Sequence, residues 1–161
     1  MRRTFGLFPV ALMLSVTALA TSAQAAPRVS ITMETAILAK MNAARTANGL
    51  PALKTSKVLR GSARTHSRYL LATGTFTHDG PGGAPFWKRL VAAGFPKTKT
   101  MGENLAVMEG CPKTAARIVE LWMNSPPHRR NLLSTRFNVV GVGIVSGGTC
   151  GKAVYTTDFG G

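Results

Sequence analysis

The spacing of apolar and polar positions divides the chain beyond residue 31 into a mainly helical front and an extended back. From Thr32 to Asn48, the apolar residues Ile37, Leu38, Met41, Ala44 and Ala47 recur at three- and four-residue intervals, which predicts a helix with one buried stripe. Thr32 is expected to cap it, and Asn48-Gly49 followed by Leu50-Pro51 to end it. A second helix is predicted from Ser56 to Ala72, with Leu59, Ala63, Leu70 and Leu71 inward, Ser56 as N-cap and Gly74 as its stop. A Gly/Pro-rich loop, Thr77 to Pro85, leads to a short helix from Phe86 to Ala93. Gly102 to Met108 reads as extended. Lys113 to Asn124 predicts a further helix burying Ile118, Val119, Leu121 and Trp122, broken by Pro126-Pro127, with one more helical turn from His128 to Leu133. Two strands, Asn138 to Val145 and Ala153 to Phe159, flank the hairpin signal Gly147-Gly148. Helices ahead of a small antiparallel sheet, with no internal repeat, imply one α+β sandwich.

The start of the chain has a different character. Arg2-Arg3 precedes a mostly apolar run from Phe5 to Ala20, and Ala23-Gln24-Ala25 supplies a small-x-small cleavage site. That order predicts a signal peptide over residues 1–25, cut after Ala25. The run is shorter than the ~20 apolar residues that span a bilayer and contains Pro9, so a retained anchor is the weaker reading. The mature protein is expected to be secreted or periplasmic, with a short tail at 26–33, one domain at 34–161 and no transmembrane segment.

Export changes how the charge is read. The 20 Lys and Arg exceed the 6 Asp and Glu, and losing Arg2 and Arg3 still leaves the mature chain strongly basic. An exported protein does not meet nucleic acid, so anionic envelope surfaces are the expected partners of that charge, beside a plain solvated exterior. Cys111 and Cys150 are the only cysteines. In an oxidising compartment an even pair reads as a disulfide. Closing a loop of about 40 residues is worth about 4 kcal/mol at most by the chain-entropy argument.

Few ionisable groups are available for chemistry. His66 falls on the apolar face of the second helix, between Ala63 and Leu70, and reads as a structural histidine. His78 sits in a loop, His128 follows Pro126-Pro127, and Glu103 opens an extended segment where glutamate is not a propensity choice. Two His and one Glu suit zinc or a similar divalent ion. Their spacing, with no H-E-x-x-H motif, does not by itself establish a metal site.

Five pieces in order carry a resemblance: Met41-Asn42-Ala43-Ala44-Arg45 with Gly49-Leu50-Pro51-Ala52-Leu53; Phe76-Thr77-His78; Gly102-Glu103-Asn104-Leu105-Ala106; Trp122 to Leu133 through Ser125-Pro126-Pro127-His128; and Gly141-Val142-Gly143-Ile144 with Tyr155-Thr156-Thr157-Asp158-Phe159-Gly160. Over about residues 34 to 160 the chain resembles the bacterial form of the CAP superfamily, the cysteine-rich secretory protein, antigen 5 and pathogenesis-related-1 group, also called SCP domains. The resemblance implies a three-layer α-β-α sandwich with a central small antiparallel sheet and an open cleft. It implies a cleft tetrad of two His and two Glu able to hold a divalent metal. His78, Glu103 and His128 match three members, and Ser125 stands where the fourth, a Glu, usually is. Glu120 precedes Trp122, is out of register and reads as a solvated helix residue.

Three functions are consistent with these residues. The first is a non-catalytic binding domain for a lipid, glycan or peptide, with His78, Glu103 and His128 ordering the ligand directly or through a metal. The second is a metal-dependent, peptidase-like hydrolase of the envelope, using an activated water with Glu103 as base. The third is a lipid- or sterol-binding protein.

Overall fold

A computed structural model describes residues 26–161. The expected signal peptide lies outside the described residues. In chain order the elements are β1 (Arg28–Val29), α1 (Ile31–Ala47), β2 (Lys54–Thr55), α2 (Lys57–Thr73), a 3-10 turn (Pro81–Gly83), α3 (Phe86–Ala92), β3 (Met101–Met108), α4 (Ala115–Asn124), α5 (Pro126–Leu132), β4 (Val139–Ser146) and β5 (Ala153–Gly160).

Every long element lies close to where the apolar spacing puts it. The differences are at the ends. Ser30, not Thr32, caps α1, its hydroxyl accepting from the Met33 amide at 3.4 Å. The segment expected to be a tail instead contributes β1, which pairs antiparallel with β4. Ser56 caps α2 as expected, and Gly74 closes it in the left-handed conformation at φ 70°. The inner stripe of α1 ends at Arg45 rather than Ala47, and Leu121 lies outside the core at 38% exposure while Trp122 is buried.

The sheet order is β1-β4-β5-β3, so β3 is an edge. β3, β4 and β5 are antiparallel, whereas β2, too short to give an alternating pattern, adds to β4 in parallel. Side chains alternate between the two faces. Tyr155 and Phe159 of β5 join Val140, Val142 and Ile144 of β4 under α1, α4 and α5, with Ile37, Met41, Ile118 and Trp122 in one large apolar cluster. Val154 of β5 faces the opposite way, toward Leu70 of α2. On that second face Gly141 and Gly143 let α2 lie directly on β4. A Cβ at either would collide with the α2 backbone.

The motif Met41 to Arg45 ties the front of the domain to its back. Asn42 exchanges two hydrogen bonds with Leu53, and the buried Arg45 guanidinium donates to the carbonyls of Pro51, Leu132, Ser134 and Phe137. Cys111 and Cys150 form the expected disulfide, tethering the segment before α4 to the β4–β5 hairpin.

Candidate functional site

β3, the edge strand, is bonded from both helical layers. Its outward carbonyls are not left open. Trp122 Nε1 donates to the Leu105 carbonyl at 3.0 Å, and Asn131 Nδ2 to that of Glu103 at 3.0 Å. Asn104, fully buried, accepts from Asn131 at 2.9 Å and donates to the His128 carbonyl at 3.0 Å. Gly102-Glu103-Asn104 therefore works in two directions: Asn104 anchors α5 on one face, and Glu103 points its carboxylate to the other.

There Glu103 meets a set of charges. His78 Nδ1, from the loop after α2, is 2.6 Å from Glu103 Oε1. Arg89 of α3 donates a short hydrogen bond to Glu103 Oε2 and grips Asp158 with two more, at 2.6 and 3.1 Å. Arg89 also donates to the Ser62 hydroxyl of α2 at 2.5 Å. Glu103 and Asp158 are direct cross-strand partners of β3 and β5. Two buried carboxylates thus share one guanidinium.

The electrostatics follow from burial. Removal from water raises Glu103 to about 7, aided by repulsion from Asp158 and opposed by His78 and Arg89. Asp158, fully buried, is raised for the same reason against the pull of Arg89. The bond to Glu103 raises His78. Both shifts favour keeping a proton between His78 and Glu103. The ring of His78 is half-exposed, and with Nδ1 held by Glu103 its Nε2 is the nitrogen free to face a ligand.

His66 is buried on α2, as its place on the apolar face predicts, but it also borders this cluster. Its Nε2 donates to the Thr77 carbonyl at 3.0 Å, which fixes the loop carrying His78. Its Nδ1 has no partner among the described residues. Burial, with Arg89 next, lowers it to about 4, so the ring is neutral and its 3.9 Å approach to Glu103 Oε2 is not an ion pair.

His128, at the start of α5, lies on the other side of the edge strand. It is partly buried and held low, first by burial and then by the charge of His78. Ser125 is the N-cap residue of α5, but its side chain makes no capping bond. Glu120 is exposed and paired with Arg117 at 3.1 Å, as its register suggests. Of the residues expected at the site, the structure joins His78 to Glu103 by a direct bond, leaves His128 within electrostatic reach of His78, and gives Ser125 no hydrogen bond to either histidine.

Arg89, Asp158 and Asn131 were not anticipated. Asp158 had a signal, since a lone acid between Val154 and Phe159 is as unusual in a strand as Glu103 is. Arg89 had none: it sits beside Lys88 in a basic chain, and only the fold brings it to Glu103.

Both oxygens of Glu103 are engaged by protein donors, one of them a cation, so Glu103 as placed is poorly suited to ligate a divalent ion.

A profile of the cysteine-rich secretory protein family, CAP, matches residues 38–159. The chain belongs to the CAP family. It is 36% identical over 119 residues to the uncharacterized protein YkwD of Bacillus subtilis, covering 73% of this chain and 43% of that protein. An extracellular protein of Bacillus anthracis containing an SCP domain superposes with a TM-score of 0.66 at 27% identity, over 80% of this chain and 40% of that one. An outer surface protein of Borrelia burgdorferi shares the fold, with a TM-score of 0.70 at 21% identity over 83% and 96% of the two chains. The CAP chain described here thus spans less than half of the first two relatives. Its disulfide and its extracellular relative fit a secreted protein, and no described helix is long and apolar enough to cross a membrane.

Proposed function

We propose that this CAP domain is a binding domain that works outside the cytoplasm, with the edge-strand cleft between His78 and His128 as its binding centre. The observation that carries the reading is the 2.6 Å bond from His78 Nδ1 to a carboxylate already clamped by Arg89. It fixes the imidazole and leaves Nε2 to exchange a hydrogen bond with a polar ligand, without a metal between them. His128, within electrostatic reach of His78, is taken as the second histidine of the centre. The disulfide and the extracellular relative support the location.

One observation favours a second reading. A carboxylate-oriented imidazole with a free Nε2 is also the arrangement of a general base. The nucleophile would then be a water, because Ser125 makes no bond to either histidine.

The test is to follow the His78 and His128 ring signals by NMR while adding defined oligosaccharides, short peptides and short-chain lipids. One ligand class is expected to shift both rings and to lose about tenfold or more in affinity in His78→Ala and Glu103→Gln. Binding unchanged in both variants would overturn the reading. Stoichiometric zinc in the tag-free protein, lost in His78→Ala, would replace it with a metal site. Turnover of the bound ligand, insensitive to chelator and lost in His78→Gln, would move it to the general-base reading.

A further inference from the structure

A groove of about 330 Å³ lies beside the site, lined by Phe86 and Trp87 of α3, by Lys97 and Lys99 of the following turn, and by Met101 at the start of β3. Its volume is within the range of ligand clefts. Its floor is built, because Met101 and Phe86 pack on the buried cluster of Leu59, Leu90 and Phe95. The connecting turn is fixed at both ends, by Lys99 N to the Pro96 carbonyl and by two backbone bonds between Thr100 and Gly161. Trp87 is 38% exposed, an unusual place for the largest apolar side chain and a mark of a contact surface.

Charge selects the kind of partner. No acid lines the groove, while Lys88 lies over the Trp87 ring at 5.9 Å and Arg136 reaches Thr100 at 3.5 Å, so further cations border it. Three of the acids are spent internally, Glu34 against Arg64 and Glu103 and Asp158 against Arg89, while Asp79, Glu109 and Glu120 are exposed and none of them lines the groove. The positive field of the groove meets no acid in its own lining. A flat aromatic ring and two ammonium groups around a concave floor suit a sugar ring bearing carboxylate or phosphate. A membrane surface calls for protruding apolar side chains, whereas Trp87 lines a concavity.

The groove and the site are built from the same two elements. Trp87 and Arg89 share α3, and Met101 and Glu103 share the same face of β3. We infer that the groove binds an acidic glycan strand by stacking on Trp87 and by pairing with Lys97 and Lys99, and that this strand runs along β3 toward His78. The inference rests on the binding reading above and names the ligand class for it.

Trp87 and the buried Trp122 are the two tryptophans of the chain, so fluorescence reads the groove while the His78 ring reads the cleft. The full chain is titrated with a hexamer of galacturonic acid. A saturable change in emission is expected, weakened by salt and absent in Trp87→Phe. Lys97→Glu with Lys99→Glu, both at exposed positions, is expected to weaken binding about tenfold or more with the melting temperature unchanged. Equal binding of a neutral chitin hexamer, binding only to phosphatidylglycerol vesicles, or full affinity in the double lysine variant would each overturn the inference. A Trp87 response with no movement of the His78 signal would leave the groove standing and sink the cleft reading; movement of His78 without Trp87 would do the reverse.

Discussion

The two faces of the sheet are made by the same three strands and do opposite things. Under α1, α4 and α5, β5 contributes Tyr155 and Phe159 to a continuous apolar cluster. Under α2 and α3, the intervening residues of that strand are Val154, Thr156 and Asp158. Thr156 bonds to Ser67, and Asp158 to Arg89. The first face is held by area removed from water. The second is held by close backbone approach at two glycines and by paired buried charges, which are costly unless every partner is present. The larger apolar cluster thus lies on one face, and the buried charges, with Glu103 at the edge, lie on the other.

The largest effect should come from removing the close approach. Gly141→Val puts branched carbon into the backbone of Leu59 and Arg60, and α2 has no room to move because Gly143 packs the same way. A loss above about 4 kcal/mol is expected, enough to prevent folding; a folded variant with a normal thermal melt would show that α2 is not seated as described. Next come one change on each face. Trp122→Ala removes a buried ring and should cost about 3–5 kcal/mol by urea unfolding. Arg89→Met leaves Glu103 and Asp158 uncompensated and should cost a similar ~3–5 kcal/mol at pH 7. The two faces are separated by pH. The Trp122→Ala loss should be the same at pH 7 and pH 4, while the Arg89→Met loss should shrink at pH 4 as the carboxylates take up protons. Equal losses at both values would mean that Arg89 acts through packing and not through charge.

This contrast also explains what the sequence could show. The apolar face was legible because it is periodic: Ile37, Met41, Ile118, Val119 and Trp122 repeat at helical intervals, and all are buried. Glu103 and His78 were legible because each breaks a local rule, an acid in a strand and a histidine in a Gly/Pro-rich loop. Arg89 breaks none, and its role arises from contacts with residues distant in sequence. The fourth position of the cleft was sought at Ser125 by analogy with other CAP proteins, whereas the groups closing on Glu103 come from α3 and β5. β1 and β2 were missed because two residues cannot display an alternating pattern; their pairing is decided by β4 alone.

The smallest effect is the most specific to the charged face. Glu103 is raised from 4.5 to about 7 on folding, so its contribution to stability is fully present below pH 4.5 and is lost as pH rises to about 7. His78, also raised, acts in the same direction but above pH 6.5. His66 is lowered from 6.5 to about 4, so the unfolded chain takes up the proton first and stability falls as pH drops from 6.5 toward 4. The opposing slopes overlap between about pH 4.5 and 6.5, and the wild-type protein should be nearly flat there. Single changes should uncover each slope. Glu103→Gln should turn the profile across that window toward a rise with pH, driven by the lowered His66 and His128 against the raised Asp158. His66→Leu should turn it toward a fall, as the raised Glu103 and Asp158 lose their protons. The midpoint of urea unfolding, measured at half-unit steps of pH, reads both. Parallel flat profiles in the two variants would show that neither group changes its proton affinity on folding, and the separation of the sheet into a dry face and a titrating face would not hold. If the slopes appear with the stated signs, the proton that His78 shares with Glu103 is coupled to the fold through the same face that presents Nε2 to the cleft.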